Sequence, residues 1–417
     1  MTVFWLLILV LVLLGAPLFA IIGANALWNF HGADIDLQVV AIEFFGIAET
    51  PVLLAIPLFT FAGYLLSESQ APRRLVRLTN AMLGWMPAGL AVVALVACAL
   101  FTAFTGASGV TIVALGALLV PALGQAGYPE RFNLGLVTTA GSLGLLFAPS
   151  LPLILYGVIA EVSIEDLFLA GVIPGVLMLA MLSGYSMWKN RAIRVPLGDF
   201  SWREVAAAAR EAAWEIPLPV VVLGGIYSGF FAISEAAAVT ALYVLIVDLL
   251  ILREVKFRQL PSIIRESMIL VGGIMIILGV SRASTNFMID AGVPQMLLEW
   301  VSGFVSSPFA FMLMLLLFLL VLGAILDIFS AIVLVVPLVL PVAVQFGVDP
   351  IHLGIVFLAA MQLGYITPPV GLNLFIAGYR FDRPIVDIYL STLPFFAFLL
   401  LAVVIIAFWP GLSLWLV

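Results

Sequence analysis

Long apolar runs recur along the chain and are separated by short polar segments. Residues 5–27, 167–188, 309–326 and 388–409 form such runs, and about 18 mainly apolar residues suffice for a helix to cross a bilayer. The strands of a membrane barrel are only about 10 residues long and alternate apolar with polar positions, so these runs favour helices. We place crossings at about residues 3–28, 48–67, 132–160, 167–188, 214–231, 234–252, 262–283, 351–379 and 386–416.

Two further hydrophobic stretches, 88–125 and 305–346, are each long enough for two helices. Each has a polar or glycine-rich break near its middle, at 105–109 in the first and at 323–330 in the second. Each stretch can therefore cross the membrane twice, or enter and leave on one side as a re-entrant hairpin. Either alternative returns the chain to the side from which it came.

The composition also indicates that most of the chain lies in a lipid bilayer. Hydrophobic residues make up 65% of the chain and charged residues 9%, whereas soluble domains have about 25% charged residues.

The first segment lacks a basic start and is too long for a signal-peptide core, so we expect a retained helix. The single cysteine, Cys98, excludes an internal disulfide, and neither His31 nor His352 has metal-ligand spacing to a partner. The net charge of −7 gives no reason to expect nucleic acid.

The basic residues predict the orientation, because short cytoplasmic loops are enriched in Lys and Arg. With the N-terminus inside, all 16 basic residues except Arg282 fall on the cytoplasmic side. They are Arg73, Arg74, Arg77, Arg131, Lys189, Arg191, Arg194, Arg203, Arg210, Arg253, Lys256, Arg258, Arg265, Arg380 and Arg383. We therefore expect a multi-pass protein of the bacterial inner membrane with a cytoplasmic N-terminus and a periplasmic C-terminus.

Two amphipathic stretches, 71–83 and 200–214, carry arginines on one face and apolar residues on the other. This pattern is typical of helices that lie in the membrane interface. An ordinary polar loop is the alternative for each stretch.

The second half of the chain repeats the first at a displacement of 220 residues. The matching positions include Pro121 and Pro341, Gln125 and Gln345, Gly127 and Gly347, Ala140 and Ala360, Leu143-Gly144 and Leu363-Gly364, Pro149 and Pro369, and Pro174 and Pro394. Counting the crossings gives the copies opposite orientations. We predict inverted repeats over 1–190 and 233–417, joined by 191–232 with an interfacial segment and one extra helix. Inverted repeats suit alternating access in a secondary transporter.

Equivalent helices in the two halves are interrupted by prolines, at 146–152 and 365–373. Proline removes an amide donor and clashes with the preceding turn, so paired prolines unwind a helix. The freed carbonyls can coordinate a cation, while the ends of half-helices that begin there favour an anion. A kink that serves only packing is the alternative.

The breaks in the two hairpins supply the other half of each predicted site. Thr105, Ser108 and Gly109 are expected to meet the break at Pro149. Asp327 and Ser330 are expected to meet the break at Pro369. A carboxylate amid apolar residues is costly and usually functional. Asp327 can also be a helix cap, which does not exclude contact with an ion.

Two other charges have competing interpretations. Arg282 can attract an anionic substrate or pair with Asp290, and we favour the pairing. Glu235 begins a crossing after Ser234 and is interpreted as an N-terminal cap rather than a proton site.

These residues resemble the large membrane subunit, or DctM-type subunit, of the tripartite ATP-independent periplasmic (TRAP) transporters of the ion transporter superfamily. The resemblance runs nearly from end to end. Its motifs are residues 104–109, 126–129, 148–150 with 156–157, 233–236, 323–327 and 366–373. The last motif and its pairing with the first break are the most specific.

The resemblance implies an elevator mechanism, in which a transport domain of hairpins and broken helices slides against a scaffold, driven by a sodium gradient. It implies no cofactor beyond sodium as the coupling ion. It also implies two partners, a small four-helix DctQ-type membrane subunit and a periplasmic binding protein that delivers an organic acid.

By the same resemblance, sodium ions lie between each hairpin tip and the facing break. The first ion is then assigned to Thr105, Ser108, Gly109, Ala148, Pro149 and Ser150, and the second to Asp327, Ser330, Thr367, Pro368 and Gly371. The substrate is assigned to Ser108, Asn373 and Arg282. The chain departs from the family pattern at 106–109, where relatives often have more hydroxyls, and at Ala148-Pro149, where a double proline is frequent.

Other classes fit the sequence less well. An intramembrane enzyme needs clustered Asp, His or Cys groups, and Asp327 is the one acid that the sequence lets us place deep in the membrane. A primary pump needs a phosphate-binding loop, and no Gly-x-x-x-x-Gly-Lys-Ser/Thr occurs. A channel can share the fold, but conduction does not require paired inverted breaks.

Overall fold

The computed structural model describes residues 8, 10, 11, 14–191 and 200–417. Those residues form helices and connecting turns without a strand, as expected where lipid forces each segment to pair its own backbone groups. The first half contains α1 Leu18–Gly32, α2 Gln38–Gly46, α3 Ala55–Glu68, α4 Ala71–Leu83, α5 Gly89–Thr105, α6 Ser108–Gln125, α7 Glu130–Ala140, α8 Leu151–Ala160, α9 Ile164–Ala170 and α10 Val172–Lys189. The predicted all-α polytopic membrane fold is confirmed.

The rest of the chain continues the helical pattern. It contains α11 Trp202–Glu211, α12 Pro217–Tyr227, α13 Ile233–Ile246, α14 Leu260–Asp290, α15 Val293–Ser302, α16 Pro308–Gly323, α17 Ile328–Gln345, α18 Pro350–Gly364, α19 Leu372–Phe381, α20 Ile385–Phe408 and α21 Gly411–Leu414. Seven helical segments of the described chain are long and apolar enough to cross a membrane, and an eighth counts if the bent pair of 130–146 and 151–160 forms one span.

The beginning of the chain differs from the continuous crossing predicted over 3–28. Residues 8, 10 and 11 are helical, but a turn then separates them from α1. Gly15 takes the left-handed conformation there, with φ of 78°, and Pro17 caps α1. The remaining residues before 14 lie outside the described part of the chain. A glycine and a proline two residues apart therefore interrupt a run that hydropathy alone treats as continuous.

Two helices lie where the sequence predicts loops. α2 and α15 follow the first crossing and α14 respectively, and both are short. α15 buries Pro294 and Val301 and exposes Trp300, so its apolar residues are divided between a buried and an exposed face. Hydropathy over a membrane-length window does not detect helices of 9 and 10 residues.

Both predicted hairpins are present. α5 and α6 are joined through Gly106, whose φ is 63°, and α16 and α17 are joined through residues 324–327. Both predicted helix breaks are present too. A short 3-10 segment, Leu143–Leu146, separates α7 from α8, and an irregular segment over 365–371 separates α18 from α19. The hairpin tips reach these breaks, so the re-entrant alternative fits both hairpins.

The helices pack in two groups. The framework group comprises α1–α3, α13 and α14, in which α3 packs on α13 and α14 packs on α1, α2 and α3. The hairpin group comprises α5–α10 and α16–α20, in which α7 packs on α20, α16 on α18 and α17 on α8. The groups touch where α3 meets α5 and where α14 meets α17. The sites described below lie at the hairpin tips, next to this boundary.

The amphipathic stretches are helices, and the polar-loop alternative is wrong for both. α4 occupies 71–83 and α11 occupies 202–211, and the two pack on each other. Arg77 of α4 pairs with Glu204, at 3.2 Å, and with Glu211, both on α11. α4 also connects the framework helix α3 to the hairpin helix α5.

The helices of the two halves correspond in order and spacing. α4–α8 begin at residues 71, 89, 108, 130 and 151, and α15–α19 begin at 293, 308, 328, 350 and 372. The halves differ at α14, which is continuous where the first half has α2, two 3-10 turns and α3. Pro51 interrupts the first half, and Val271 stands 220 residues later in α14.

Candidate functional site: two hairpin tips and two helix breaks

The first hairpin tip is in close contact with the first break. A side-chain carbon added to Gly106 would lie 2.4 Å from Cγ of Leu151, and one added to Gly144 would lie 2.2 Å from the carbonyl oxygen of Ala99. Such distances leave no room for any residue but glycine. The tip and the break can therefore approach closely because glycine, which has no side chain, stands at the contact.

Two buried hydroxyls flank this contact without hydrogen-bond partners. Thr105, at the end of α5, and Ser150, before α8, are both fully buried. Thr105 Oγ1 and Ser150 Oγ find no hydrogen-bond partner among the described residues, and neither does the buried Thr139 Oγ1. An unsatisfied buried hydroxyl costs about 1–3 kcal/mol. The predicted residues Thr105 and Ser150 are thus available to an additional ligand.

The second hairpin tip meets the second break through backbone contacts. A side-chain carbon added to Gly364 would lie 2.3 Å from the carbonyl carbon of Gly323. The amide of Val370 donates to the carbonyl oxygen of Ala324 at 3.1 Å, and the amide of Ile328 donates to the Tyr365 hydroxyl at 3.0 Å. The tip is therefore fastened to the break on both sides of Asp327.

Asp327 caps α17 and is half-buried. Its Oδ1 accepts from the amides of Phe329, at 2.9 Å, and Ser330, at 3.0 Å, while Oδ2 accepts from the Ser330 hydroxyl. The capping alternative for Asp327 is therefore correct. A carboxylate has about four lone-pair sites, so these three hydrogen bonds leave capacity for a cation.

The other residues assigned to the second ion differ in exposure. The Thr367 hydroxyl donates to the carbonyl oxygen of Leu363 at 2.8 Å, Pro368 is exposed, and Gly371 is buried with φ of 53°. The first break, by contrast, is buried over most of its length. Both predicted sites combine a hairpin tip with a helix break, but the break of the second site is more exposed than that of the first.

A cavity of about 560 Å³, here the tip cavity, lies between the two tips and the framework group. Ser108 and Gly109 line it from the first tip and Asp327 from the second, while Glu68 of α3 and Glu266 of α14 face them. Ser108 is 4% exposed, and its hydroxyl has no hydrogen-bond partner in the described chain. The cavity is therefore lined by residues from each of the two predicted ion sites.

A second cavity of about 690 Å³, here the rim cavity, lies farther along the same boundary. It is lined by Thr50, Arg282 and Asn286 of the framework and by Glu161 and Pro337 of the hairpin group. Along α14, Leu270 lines the tip cavity and Leu278 lines the rim cavity. Eight helical residues correspond to about 12 Å, so the cavities are separate.

The three residues assigned to the substrate are not brought together. Ser108 lines the tip cavity and Arg282 the rim cavity. Asn373 is buried behind the break, where Nδ2 donates to the carbonyl oxygen of Thr138 at 3.2 Å and Oδ1 has no partner within the described residues. Among them, Ser108 is the residue placed to touch a solute in the tip cavity.

The preferred pairing of Arg282 with Asp290 is wrong. Arg282 Nε lies 3.1 Å from Glu43 Oε2 of α2. Asp290 is two turns farther along the same helix, about 12 Å in rise, which is too far for contact. The interpretation of Glu235 as a cap is confirmed, since its Oε2 accepts from the Ala232 amide at 2.9 Å.

Sequence reasoning missed the framework side of the tip cavity. Tyr64, Ser67, Glu68 and Glu266 line it. Each glutamate lies near an end of a crossing, where charged residues are common, so the sequence gave no indication that they line a cavity.

The described chain contains no group of three or more metal-ligating side chains, and His352 instead bonds to Ser413 and the carbonyl oxygen of Ala407.

An ion-pair cluster that sequence reasoning also missed holds α4 to the framework. Arg74 Nε donates to Glu215 Oε1 at 2.7 Å, and the guanidinium also pairs with Glu254. The side chains are 13%, 6% and 17% exposed respectively. Burial alone would raise the pKa of Glu254, but hydrogen bonds from Arg74 and the Gln70 amide, with the charge of Arg74, lower it overall.

Replacing Arg74 by glutamine is expected to lower the free energy of unfolding by about 3–5 kcal/mol, because the buried Glu215 and the partly buried Glu254 lose their cation. Thermal unfolding in detergent measures this, with Arg73→Gln, an exposed neighbour, as the control. Because the pKa of Glu254 is lowered on folding, its contribution is present above the ordinary pKa and is lost as pH falls through the lowered value. Equal stability of the two variants would contradict this role.

The fold and site together define a class of protein. Paired hairpins and broken helices around a cavity, in an all-helical membrane chain, are the architecture of a membrane transporter. The comparisons with known proteins identify the family. The model of the DctM component of the tripartite ATP-independent periplasmic transporters matches residues 5–412, and the chain belongs to this family of transporter permeases, which are not enzymes.

Individual relatives agree with that assignment. The chain is 36% identical over 380 residues to the C4-dicarboxylate TRAP transporter large permease protein DctM of Pseudomonas aeruginosa, covering 91% of this chain and 89% of the relative. It is 33% identical over 404 residues to the isethionate TRAP transporter permease protein DctMQ of Oleidesulfovibrio alaskensis, covering 96% of this chain and 64% of that longer protein. The fold resembles the crystal structure of the Alcanivorax borkumensis YdaH transporter, with a TM-score of 0.56 and 16% identity over 90% of this chain and 88% of the other.

Proposed function

We propose that this chain is a sodium-coupled permease subunit that imports an organic acid by an elevator mechanism. The observation that carries the proposal is a set of oxygen groups that can bind a cation where each hairpin tip meets its break. They are the unpartnered hydroxyls of Thr105 and Ser150 at the first tip and break, and the Asp327 carboxylate, which lines the tip cavity, at the second. The organic acid follows from the relatives, whose names specify a C4-dicarboxylate and isethionate.

The chemistry of both sites suits sodium. Hard cations prefer carboxylate, carbonyl and hydroxyl oxygens. The first site offers the Thr105 and Ser150 hydroxyls beside the unwound backbone of 147–150, and the second offers Asp327 beside the backbone of 365–371. Ser108, Gly109, Ala148 and Pro149 complete the proposed first site, and Ser330, Thr367, Pro368 and Gly371 the second. Ser108 also presents its hydroxyl to the solute, and Asn373 supports the break from behind.

The packing favours movement of one helix group against the other. The hairpin group carries both tips and both breaks, so it can move as a body without dismantling either site. α4 and α15 each link a framework helix to a hairpin, which makes them connecting arms. The framework group is the proposed scaffold and the hairpin group the proposed transport domain.

The orientation follows from the positive charges. The framework residues that line the tip cavity lie at the ends of α3 and α14 next to Arg73, Arg74 and Arg265, which short cytoplasmic loops favour. We infer that the tip cavity opens to the cytoplasm and the rim cavity to the periplasm. The structure then corresponds to an inward-facing state.

Two partners complete the proposed transporter. A periplasmic binding protein is implied by the family, and it would deliver the organic acid to the outer side. A small DctQ-type membrane subunit is suggested by the relative named DctMQ, which is longer than this chain. We propose that both assemble with this chain in the inner membrane.

The test is uptake into proteoliposomes that hold this chain with its cognate small subunit, with the binding protein supplied outside. A panel of carboxylates and sulfonates would include succinate and isethionate. We expect accumulation against a gradient that collapses when sodium is equal on both sides. Downhill flux that ignores sodium would favour the channel alternative and would overturn the proposal.

The first sodium site has a sharp test of its own. Thr105→Val removes a hydroxyl that lacks a partner in the described chain, so we expect sodium-free stability to rise by about 1–3 kcal/mol. The same change should raise the sodium concentration that half-saturates uptake at least about tenfold. Thr60→Val is the matched control, because the Thr60 hydroxyl already donates to the carbonyl oxygen of Ile56 at 2.6 Å. An unchanged sodium titration in Thr105→Val would refute the site.

A further inference from the structure

The two cavities differ in the net charge of the residues that line them. The tip cavity is lined by three carboxylates, Glu68, Glu266 and Asp327, and by none of the basic residues in the described chain. The rim cavity is lined by one cation, Arg282, and one carboxylate, Glu161. The formal charge of the lining is therefore −3 in the tip cavity and zero in the rim cavity. An organic anion meets a less favourable potential in the tip cavity.

The framework contributes most of this difference, through α14 and α3. Glu266 and Arg282 both belong to α14, and their separation of 16 positions corresponds to about 24 Å of rise. Glu68 adds a second carboxylate at the tip-cavity end of α3. The hairpin group, which carries the proposed ion sites, contributes one charged residue, Asp327, to the described lining of the tip cavity.

The charges of the two framework glutamates, Glu68 and Glu266, are not neutralised by an ion pair within the described chain, so they can repel an anionic solute. Both are exposed, and neither forms a salt bridge with any residue that the structure describes. The one hydrogen bond to Glu266 comes from the Ser262 hydroxyl, at 3.2 Å, which leaves its charge uncompensated. Glu43, by contrast, already pairs with Arg282. The nearly buried Ser108 lines the same space.

We propose that Glu68 and Glu266 promote release of the organic anion from the inward-facing site. This inference rests on the proposed function. Two sodium ions bound at the tips offset part of the negative lining, so the anion and the ions are held together. When the ions leave, the framework glutamates repel the anion and oppose its return. These residues determine how strongly the permease is inhibited by the solute that has accumulated inside.

The test measures inhibition of uptake by internal solute. Proteoliposomes with the wild-type transporter or the Glu68→Gln/Glu266→Gln variant are preloaded with increasing succinate, and sodium-driven uptake of labelled succinate is recorded. The variant should need about five- to tenfold less internal succinate for half-inhibition, while its external KM stays within about twofold. Since the repulsion scales with charge, the shift for the monoanion isethionate should be about the square root of that for succinate. Both shifts should shrink in about 0.5 M potassium salt, because the glutamates are exposed and screened.

Asp387→Asn is the matched control. It removes one negative charge, as each of the two glutamine substitutions does, from an exposed residue on the proposed cytoplasmic side that does not line the cavity. Half-inhibition by internal succinate should be unchanged. If the double variant takes up succinate normally and shows wild-type inhibition, the release role is overturned and the proposed function stands. If the wild type shows no sodium-driven uptake of either anion, both are overturned.

Discussion

Asp327→Ala is expected to reduce sodium-driven uptake at least about 100-fold. Two unit charges about 4 Å apart interact by about 4 kcal/mol at an effective dielectric constant of 20, so loss of this carboxylate removes most of the attraction for a cation at the second tip. The substitution also removes the cap of α17, which costs about 0.5–2 kcal/mol of stability. Uptake of labelled succinate at varied external sodium measures the effect.

Asp327→Asn separates the cap from the charge. Asparagine caps helices about as well as aspartate, so this variant should unfold near the wild-type temperature and still lose sodium dependence. Asp349→Asn is the matched control, because Asp349 caps α18 in the same way, through the Ile351 and His352 amides, and does not line the tip cavity. Normal sodium titration of uptake in Asp327→Asn would reduce the role of this residue to capping.

Gly364→Ala is expected to reduce uptake strongly, through a steric clash rather than a loss of charge. The added carbon would lie 2.3 Å from the carbonyl carbon of Gly323 and 2.6 Å from its oxygen, so the backbone of α16 or α18 must move. Overpacking of this kind costs about 1–3 kcal/mol, and it would displace the second tip from its break. We expect uptake to fall about 100-fold and the unfolding temperature to fall by several degrees.

Gly272→Ala is the control for that substitution. Gly272 lies within α14, and no atom lies within 4 Å of the carbon that alanine would add. Alanine is preferred over glycine inside a helix by about 0.5–1 kcal/mol, so this variant should be as stable as the wild type or slightly more so. Comparable uptake by Gly364→Ala and Gly272→Ala would contradict the close contact between tip and break.

The sequence was sufficient for features that depend on local chemistry. Prolines at Pro149 and Pro369 predicted both breaks, because a missing amide and a ring clash act wherever proline occurs in a helix. Glycine and small residues at 105–109 predicted the first tip. Asp327 predicted the second, because an isolated carboxylate in an apolar run needs a partner. The tips and breaks were therefore predicted from residues that disfavour a continuous helix.

Features that depend on which helices pack together could not be predicted. Arg282 pairs with Glu43 because α2 packs on α14, and α2 itself was not predicted. Asn373 follows the second break directly, but its side chain turns away from the cavity toward Thr138 of α7. Neither contact follows from spacing along one segment, since the partners are 239 and 235 residues apart.

The roles of acidic residues near helix ends could not be predicted either. Glu68, Glu215, Glu254 and Glu266 look alike in the sequence, as acids close to the end of a crossing. Packing divides them into a buried pair around Arg74 and an exposed pair on the tip cavity. The difference arises only when α4 folds back on the framework, because that helix brings the one cation that the buried pair needs.

Sodium binding to the purified chain is the decisive measurement for the two tip sites. Thermal unfolding in detergent is followed while sodium replaces potassium at constant ionic strength, for the wild type, Thr105→Val, Asp327→Asn and the double variant. We predict a sodium-specific rise in unfolding temperature for the wild type, a smaller rise for each single variant and none for the double variant. A double variant that retains the full wild-type rise would show that sodium does not bind at these tips.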